Sequence, residues 1–265
     1  MEDLTALILT YNEEANIARA LSSVSWIPHV VVIDSGSTDK TIEIAKDYPN
    51  VAVVHRAFDT FANQCNFGLS QIKTEWVLSL DADYVLTPDL IAEVRALRPT
   101  SDVAGYSAEF RYCIFGRPLR SSLYPARTVL YGRQLAQYRD EGHGHRVVVR
   151  GEIKKLAGKI DHDDRKPLSR WIYEQDRYAK IEARHLLGAD DGGQKSEATR
   201  HLKVQDKLRK MIFIAPIIMP IYLLFGRGLI LDGWRGWYYV AQRTIAELLL
   251  SIRLLTEKHR LENPK

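Results

Sequence analysis

Residues 74–83 read Thr74-Glu75-Trp76-Val77-Leu78-Ser79-Leu80-Asp81-Ala82-Asp83, an apolar run that ends in two carboxylates one residue apart. The run predicts a strand buried on both faces. In an open α/β sheet, ligands settle outside the carboxyl ends of such strands. Carboxylate oxygens at that place suit Mg²⁺ or Mn²⁺ beside a diphosphate. On a regular strand, residues i and i+2 lie about 7 Å apart, so a turn must follow for the two acids to converge. In isolation the same pattern also serves to hydrogen-bond its own turn.

Two neighbouring stretches repeat the arrangement. Leu4-Thr5-Ala6-Leu7-Ile8-Leu9-Thr10-Tyr11-Asn12-Glu13-Glu14 is an apolar strand entering a polar turn, followed by Ile17, Leu21 and Val24 at helical spacing. Val30-Val31-Val32-Ile33-Asp34-Ser35-Gly36-Ser37-Thr38-Asp39 is a second buried run, then an acid, a flexible turn and a capping position for a helix from Thr41. Strands are predicted near residues 4–9, 30–34, 51–55 and 76–80 with helical patterns between them, which is the alternation of an α/β, doubly wound, mostly parallel sheet.

Together, Tyr11-Asn12-Glu13, Asp34-Ser35-Gly36-Ser37-Thr38-Asp39 and Asp81-Ala82-Asp83 resemble the family 2 glycosyltransferases of the GT-A fold, over roughly residues 1–165. Residues 76–83, Gly116-Arg117-Pro118-Leu119-Arg120 and the segment from Leu156 to His162 are similar, more narrowly, to the branch that includes lipopolysaccharide-core β-glucosyltransferases. The resemblance implies a Rossmann-like GT-A domain with a nucleotide-sugar part over about 1–100 and an acceptor part over about 101–165. It also implies an inverting, metal-dependent transfer, using Mg²⁺ or Mn²⁺, from a nucleotide sugar, expected to be a UDP-sugar. The acceptor class it implies is a lipid-linked or cell-surface glycan such as lipopolysaccharide core or exopolysaccharide.

By the same resemblance, Thr10, Tyr11 and Glu13 border the base and ribose, Asp34 accepts from the base, and Asn66 lies on the donor side. A uracil imide is a donor well suited to a carboxylate. Asp81 faces the ribose or reaches the cation through water, whereas Asp83 and the late His162 ligate it; imidazole favours Mn²⁺ over Mg²⁺. Asp39 reads as a turn and cap residue. The family commonly has a basic residue just before Asn66, but this chain has Cys65, which reads as a small packing residue.

A second chemical segment is Asp140-Glu141-Gly142-His143-Gly144-His145. Inversion needs a carboxylate across the sugar from the cation to take the acceptor hydroxyl's proton; Glu141 is the first choice and Asp140 the second. Relatives of the lipopolysaccharide branch tend to show His-Glu near here, where this chain has His145-Arg146. A solvated, charged turn is the alternative for this segment, and a helix-capping loop is the alternative for Asp161-His162-Asp163-Asp164. The Tyr-, Arg- and Gly-rich stretch before residue 139 is expected to form an antiparallel extension.

From Arg165 onward 19 Lys and Arg face 11 Asp and Glu, a balance of +8 that leaves −4 for residues 1–164. Residues 166–200 are expected to supply an amphipathic helix from Trp171 to Leu187 and a polar linker, and residues 201–265 a basic, apolar, membrane-associating helical tail. The 15-residue block from Met211 to Phe225 carries Pro216 and Pro220 and falls short of the roughly 20 residues a spanning helix needs, so an in-plane or re-entrant insertion is expected. Trp234, Trp237, Tyr238 and Tyr239 are headgroup-level residue types, and the basic flanks suit an anionic inner leaflet; an internal core or oligomer interface is the alternative. Two cysteines and an acidic start without a basic flank argue against secretion. The expected location is the cytoplasmic face of the cell membrane, peripheral or monotopic, with no nucleic-acid partner; the oligomeric state has no sequence signal. Two other classes of function remain open. Asp81-Ala82-Asp83-Tyr84-Val85-Leu86 fits the nucleophile pattern of haloacid dehalogenase-type phosphohydrolases, without their later Lys and paired-acid elements. The third class is a catalytically idle membrane adaptor.

Overall fold

The computed structural model describes residues 1, 3–141, 144–187 and 212–263. Strands β1 (Leu4–Thr10), β2 (His29–Asp34), β3 (Val51–His55) and β4 (Trp76–Asp81) run parallel in the order β3-β2-β1-β4. Helices α1 (Ile17–Ser23), α2 (Thr41–Lys46) and α3 (Phe61–Ser70) connect them. The strands are apolar at consecutive positions because both faces are covered. Ala6 and Ile8 of β1 pack with Ile17, Leu21, Leu78 and Leu80, whereas Leu7 points to the opposite layer with Ile33, Ala62, Cys65 and Leu69.

Beyond β4 the sheet changes sense. The short β5 (Tyr84–Leu86) precedes α4 (Pro88–Ala96), and then come β6 (Val103–Ile114), β7 (Arg117–Pro118), β8 (Arg127–Gly132), a hairpin of β9 (Ala136–Glu141) and β10 (Gly144–Val149), and the long β11 (Glu152–His162). The sheet continues β4-β8-β6-β11-β5, with β8 antiparallel to both neighbours, β11 parallel to β6, and β5 antiparallel to β11. The antiparallel extension expected before residue 139 is therefore β6, β7 and β8. β5 is an addition the sequence pattern did not signal, because three residues after a turn carry no readable period.

Registers set the site. Thr10 pairs with Asp34 and Leu9 with Asp81, so three parallel strands end on one rim. His162 pairs with both Tyr84 and Tyr112, which brings the end of β11 to the turn after β4. Asp163 N–H donates to the Asp83 carbonyl (3.0 Å) and locks the two segments together.

β11 crosses α4 closely at Gly158. A Cβ there would lie 2.5 Å from the Leu90 Cα, while Glu93 accepts from the backbone N–H of Ala157 (3.0 Å) and Gly158 (2.8 Å). Gly158→Ala is expected to destabilise the fold by about 1–3 kcal/mol through overpacking against backbone. Chemical denaturation measures it, and an unchanged midpoint would contradict the close crossing.

Contacts divide the chain into two units, residues 1–118 with 122–166, and residues 119–121 with 167–265. The second contains α5 (Leu168–Leu187), α6 (Ala215–Ile221), a π-helical turn (Tyr222–Gly226), a 3-10 turn (Leu229–Asp232) and the 29-residue α7 (Trp234–Glu262). Ala179, Ala183 and Leu186 of α5 pack on Leu250 and Leu254 of α7, and Arg253 pairs with Asp176. α5 starts at Leu168, three residues before the sequence expectation, and the polar linker and the basic 201–210 run lie outside the described residues. Among the described residues no helix is long and apolar enough to cross a membrane.

Candidate active site

The turn after β4 delivers the two acids separately. Asp81 is the last residue of β4, Ala82 is buried, and Asp83 faces His162, whose Nε2 lies 3.1 Å from Asp83 Oδ2. Burial opposes the Asp83 charge, but the His162 imidazole and the Lys166 ammonium outweigh it and hold the carboxyl below its ordinary range. Burial likewise opposes a charged His162, and Asp83 outweighs it, so the imidazole's pKa rises. The ring is enclosed edge-on by Tyr84, Tyr112 and Tyr124, with centroids 5.4, 4.8 and 4.6 Å away. His162 Nδ1 is buried without a hydrogen-bond partner.

On the β1 side, Asn12 adopts a left-handed φ of 55° and its Oδ1 accepts from Thr38 N–H (2.8 Å), while Ser37 Oγ accepts from Asn12 N–H (2.9 Å). These bonds brace the turn after β1 against the turn after β2. Thr10 Oγ1 is buried without a partner, and Tyr11 is 45% exposed at the rim. Asp34 is wrapped by its own turn: its carboxylate accepts from Gly36 N–H (2.9 Å), Ser37 N–H (3.1 Å) and Ser37 Oγ (2.5 Å). Gly36, at φ 94°, permits that close wrap. Asp39 accepts from Thr41 N–H (3.0 Å) ahead of α2, as a cap residue does.

The Glu13 side chain turns inward and is 15% exposed. Its carboxylate accepts from Asn16 Nδ2 (2.8 Å) and Lys166 Nζ (2.6 Å), and burial pushes its pKa up to about 7 against the pull of Lys166. Lys166 also stands 3.4 Å from Asp164 Oδ1. The reading of the sequence missed Lys166, although the acid run Asp161–Asp164 followed at once by Arg165-Lys166 was the available signal. Arg127 was missed as well. Its guanidinium lies over the Tyr124 ring (4.9 Å); burial opposes its charge, but Tyr84, Tyr124, Asp81 and Asp83 outweigh that and raise its pKa.

The β9–β10 hairpin forms the other wall. Asn66 is fully engaged with β9: its Nδ2 donates to the Tyr138 carbonyl (3.0 Å) and its Oδ1 accepts from Tyr138 N–H (2.9 Å). Tyr138 in turn bonds Ser79 Oγ (2.8 Å) and Tyr131 Oη (2.7 Å), which ties the hairpin to β4 and β8. Asp140 accepts from Ala62 N–H (3.2 Å) in the first turn of α3 and pairs across the hairpin with His145. The His145 ring stacks near Phe61 (5.6 Å) and Tyr138 (5.3 Å); burial lowers its pKa, against Asp81 and Asp140. Burial, then Asp81 and Asp140, also push the Cys65 thiol far up, in keeping with a packing role. The backbone of Glu141 closes the hairpin opposite Gly144, but its side chain, like Gly142 and His143, lies outside the described residues.

Asp83 Oδ2 and His162 Nε2, with Asp81 two residues upstream of Asp83, are oxygen and nitrogen donors of the types that a small divalent cation of borderline hardness takes. Among the described residues no group of three His, Cys, Asp or Glu side chains is placed to hold a metal ion.

Comparison with known proteins bears on this arrangement directly. The family described as Glycosyl transferase family 2 matches residues 5–163, from β1 through the segment after His162. An uncharacterized glycosyltransferase of Rickettsia felis is 31% identical over 168 residues, which cover 60% of this chain and 59% of that protein. The chain thus spans well under two thirds of the length of that relative. The lipopolysaccharide core biosynthesis glycosyltransferase LpsC of Rhizobium meliloti is 24% identical over 98% of this chain and 94% of its own. Among solved structures, S. aureus TarS with UDP is 16% identical, covers 98% of this chain and 92% of that one, and has a TM-score of 0.45. Glucosyl-3-phosphoglycerate synthase from Mycobacterium tuberculosis, solved with Mn²⁺, UDP and glucosyl-3-phosphoglycerate, is 16% identical over 69% of this chain and 78% of that one, with a TM-score of 0.45. Sheet order, rim and family match agree: the chain belongs to glycosyltransferase family 2, with the GT-A fold.

Proposed function

We propose that the protein moves a sugar, with inversion, from a UDP-sugar to a lipid-linked or cell-surface glycan acceptor such as lipopolysaccharide core or exopolysaccharide. The observation that carries this reading is the rim where Thr10, Asp34 and Asp81 end neighbouring strands, with the Asp83–His162 pair on one side and the Asp140 hairpin on the other. Thr10 and Tyr11 border the base and ribose, and the Asp34 turn shapes the base end. Asp83 and His162, with Asp81 through water, would hold a Mg²⁺ or Mn²⁺ ion, which supplies Lewis-acid neutralisation of the departing diphosphate. Glu141, with Asp140 as second choice, takes the proton of the acceptor hydroxyl as its oxygen bonds the anomeric carbon. As that bond forms, the opposite bond to the diphosphate oxygen breaks, and its electron pair leaves with UDP.

A donor screen tests the reading. Slow hydrolysis of a UDP-sugar, exceeding that of GDP- and TDP-sugars and dependent on Mg²⁺ or Mn²⁺, is the expected result. No hydrolysis of any nucleotide sugar, together with no binding of UDP by calorimetry, would leave the adaptor reading standing instead. The match of the family through Asp81–Asp83 leaves the phosphohydrolase reading without a supporting observation.

The same proposal includes a peripheral or monotopic seat on the cytoplasmic face of the cell membrane. In the second unit, Phe213 (68%), Ile217 (65%), Phe225 (66%), Leu231 (68%), Trp234 and Trp237 are exposed over a short stretch that also carries Arg227 and Arg235. Exposed large apolar and aromatic side chains with basic neighbours in one stretch of sequence suit an anionic interface. Ile217→Asp combined with Phe225→Asp is expected to cut co-sedimentation with phosphatidylglycerol vesicles at least about tenfold, given the apolar transfer energy of two large side chains. Undiminished co-sedimentation would count against this surface.

A further inference from the structure

Lys166 is the third residue beyond the segment that the family match covers, and nothing in the reaction described above uses it. Its side chain is largely buried, 15% exposed, in the corner between the turn after β1 and the tail of β11. Glu13 Oε1 accepts from it at 2.6 Å and Asp164 Oδ1 stands at 3.4 Å. Burial alone would drive the amine toward its neutral form; Asp83, Glu13 and Asp164 outweigh burial and raise its pKa, Asp83 most of the three. The other two cations of this corner are occupied differently. Arg19 is tied to Asp163, and Arg165 gives Nε (2.9 Å) and Nη2 (2.7 Å) to the same carboxylate.

An ammonium has three N–H donors, and among the described residues Lys166 Nζ makes one hydrogen bond, to Glu13. The surroundings are rich in acid: Glu13, Asp81, Asp83 and Asp164 outnumber Lys166 and His162. A diphosphate entering beside Asp83 adds further negative charge, which in a site of low polarity must meet cations at short range. A Lys on a flexible stem that touches phosphate as a point charge is suited to that place.

We propose that the Lys166 ammonium is a contact for the diphosphate of the nucleotide donor, held ready by Glu13 at 2.6 Å and Asp164 at 3.4 Å. The inference rests on the nucleotide-sugar reading and adds to it a residue that binds the phosphates from the chain itself. A purely structural Lys166 would only pin the β11 tail to β1. The two roles differ in which half of the nucleotide they affect.

Isothermal titration of the full chain with UDP and with uridine, each in EDTA and in Mn²⁺, separates them. The intact protein is expected to bind UDP more tightly than uridine even in EDTA. Lys166→Met is expected to weaken UDP about tenfold or more in both buffers, as loss of a charged hydrogen bond does, while leaving uridine within about twofold. Lys166→Arg should restore most of the UDP affinity. Equal weakening of UDP and uridine in Lys166→Met, or no weakening, overturns the proposal and leaves the donor reading intact. Should Lys166→Met not fold, the intact protein still decides: no preference for UDP over uridine in EDTA overturns the proposal. Binding of neither ligand in any buffer overturns the donor reading and the proposal with it.

Discussion

Asp83→Asn is expected to lower sugar transfer by on the order of 10³-fold or more, below detection in most assays, while the protein stays folded. The amide keeps the size of the side chain and one acceptor oxygen, so His162 Nε2 retains a partner near its present 3.1 Å. What disappears is the charge. Burial opposes the Asp83 anion and His162 and Lys166 favour it, so in the variant His162 loses its paired carboxylate while Lys166 keeps Glu13 and Asp164. A calorimetric titration should show that UDP binding no longer tightens when Mn²⁺ is added, and thermal unfolding should confirm an intact fold. Full activity in this variant would refute the metal role of Asp83.

The second large effect is expected at the hairpin. Glu141→Gln should reduce kcat about 10²–10⁴-fold with little change in the KM for the donor, because a general base acts on the acceptor hydroxyl in the transition state and not on the nucleotide. Asp140→Asn should cost less. Asp140 already accepts from Ala62 N–H at the start of α3, so its amide would retain the same bond and the hairpin would keep its place. The assay is initial-rate kinetics of transfer for both variants. If Asp140→Asn loses the greater part of kcat and Glu141→Gln does not, the two assignments exchange.

The rim was legible because parallel strands buried on both faces are written as unbroken apolar runs. β1, β2, β3 and β4 end at Thr10, Asp34, His55 and Asp81, within a residue of where the hydrophobic runs stop. The acids at those ends were visible for the same reason. What the pattern could not show is what each polar group faces across the fold. Asn66 meets the backbone of Tyr138, 72 residues away, and Lys166 meets Glu13, 153 residues away; no local period encodes such pairs. Arg127 and the Tyr84, Tyr112 and Tyr124 rings around His162 were legible as composition and illegible as a site, because they come from β8, β5, β6 and the segment before β8, which become neighbours only through the later half of the sheet. Asp34 is a related case. Its place at a strand end was clear, while the wrap of Gly36 and Ser37 around its carboxylate depends on the geometry of the turn.

The position of β11 governs how this protein can be made. β11 is an inner strand, inserted between β6 and β5, although it is synthesised after both. Until residues 152–162 leave the ribosome, β6 and β5 present open edges, and such edges template the pairing of separate chains. At translation rates of roughly 5–20 residues per second, about 7 to 30 s pass between the emergence of β1 and that of β11. A chain stopped before Glu152 would hold its first four parallel strands and lack the partner that closes the sheet, so truncated products should aggregate and not accumulate as a smaller working enzyme. The turn after β4 is subject to the same delay: Asp83 meets His162 only when the last strand has been threaded into place.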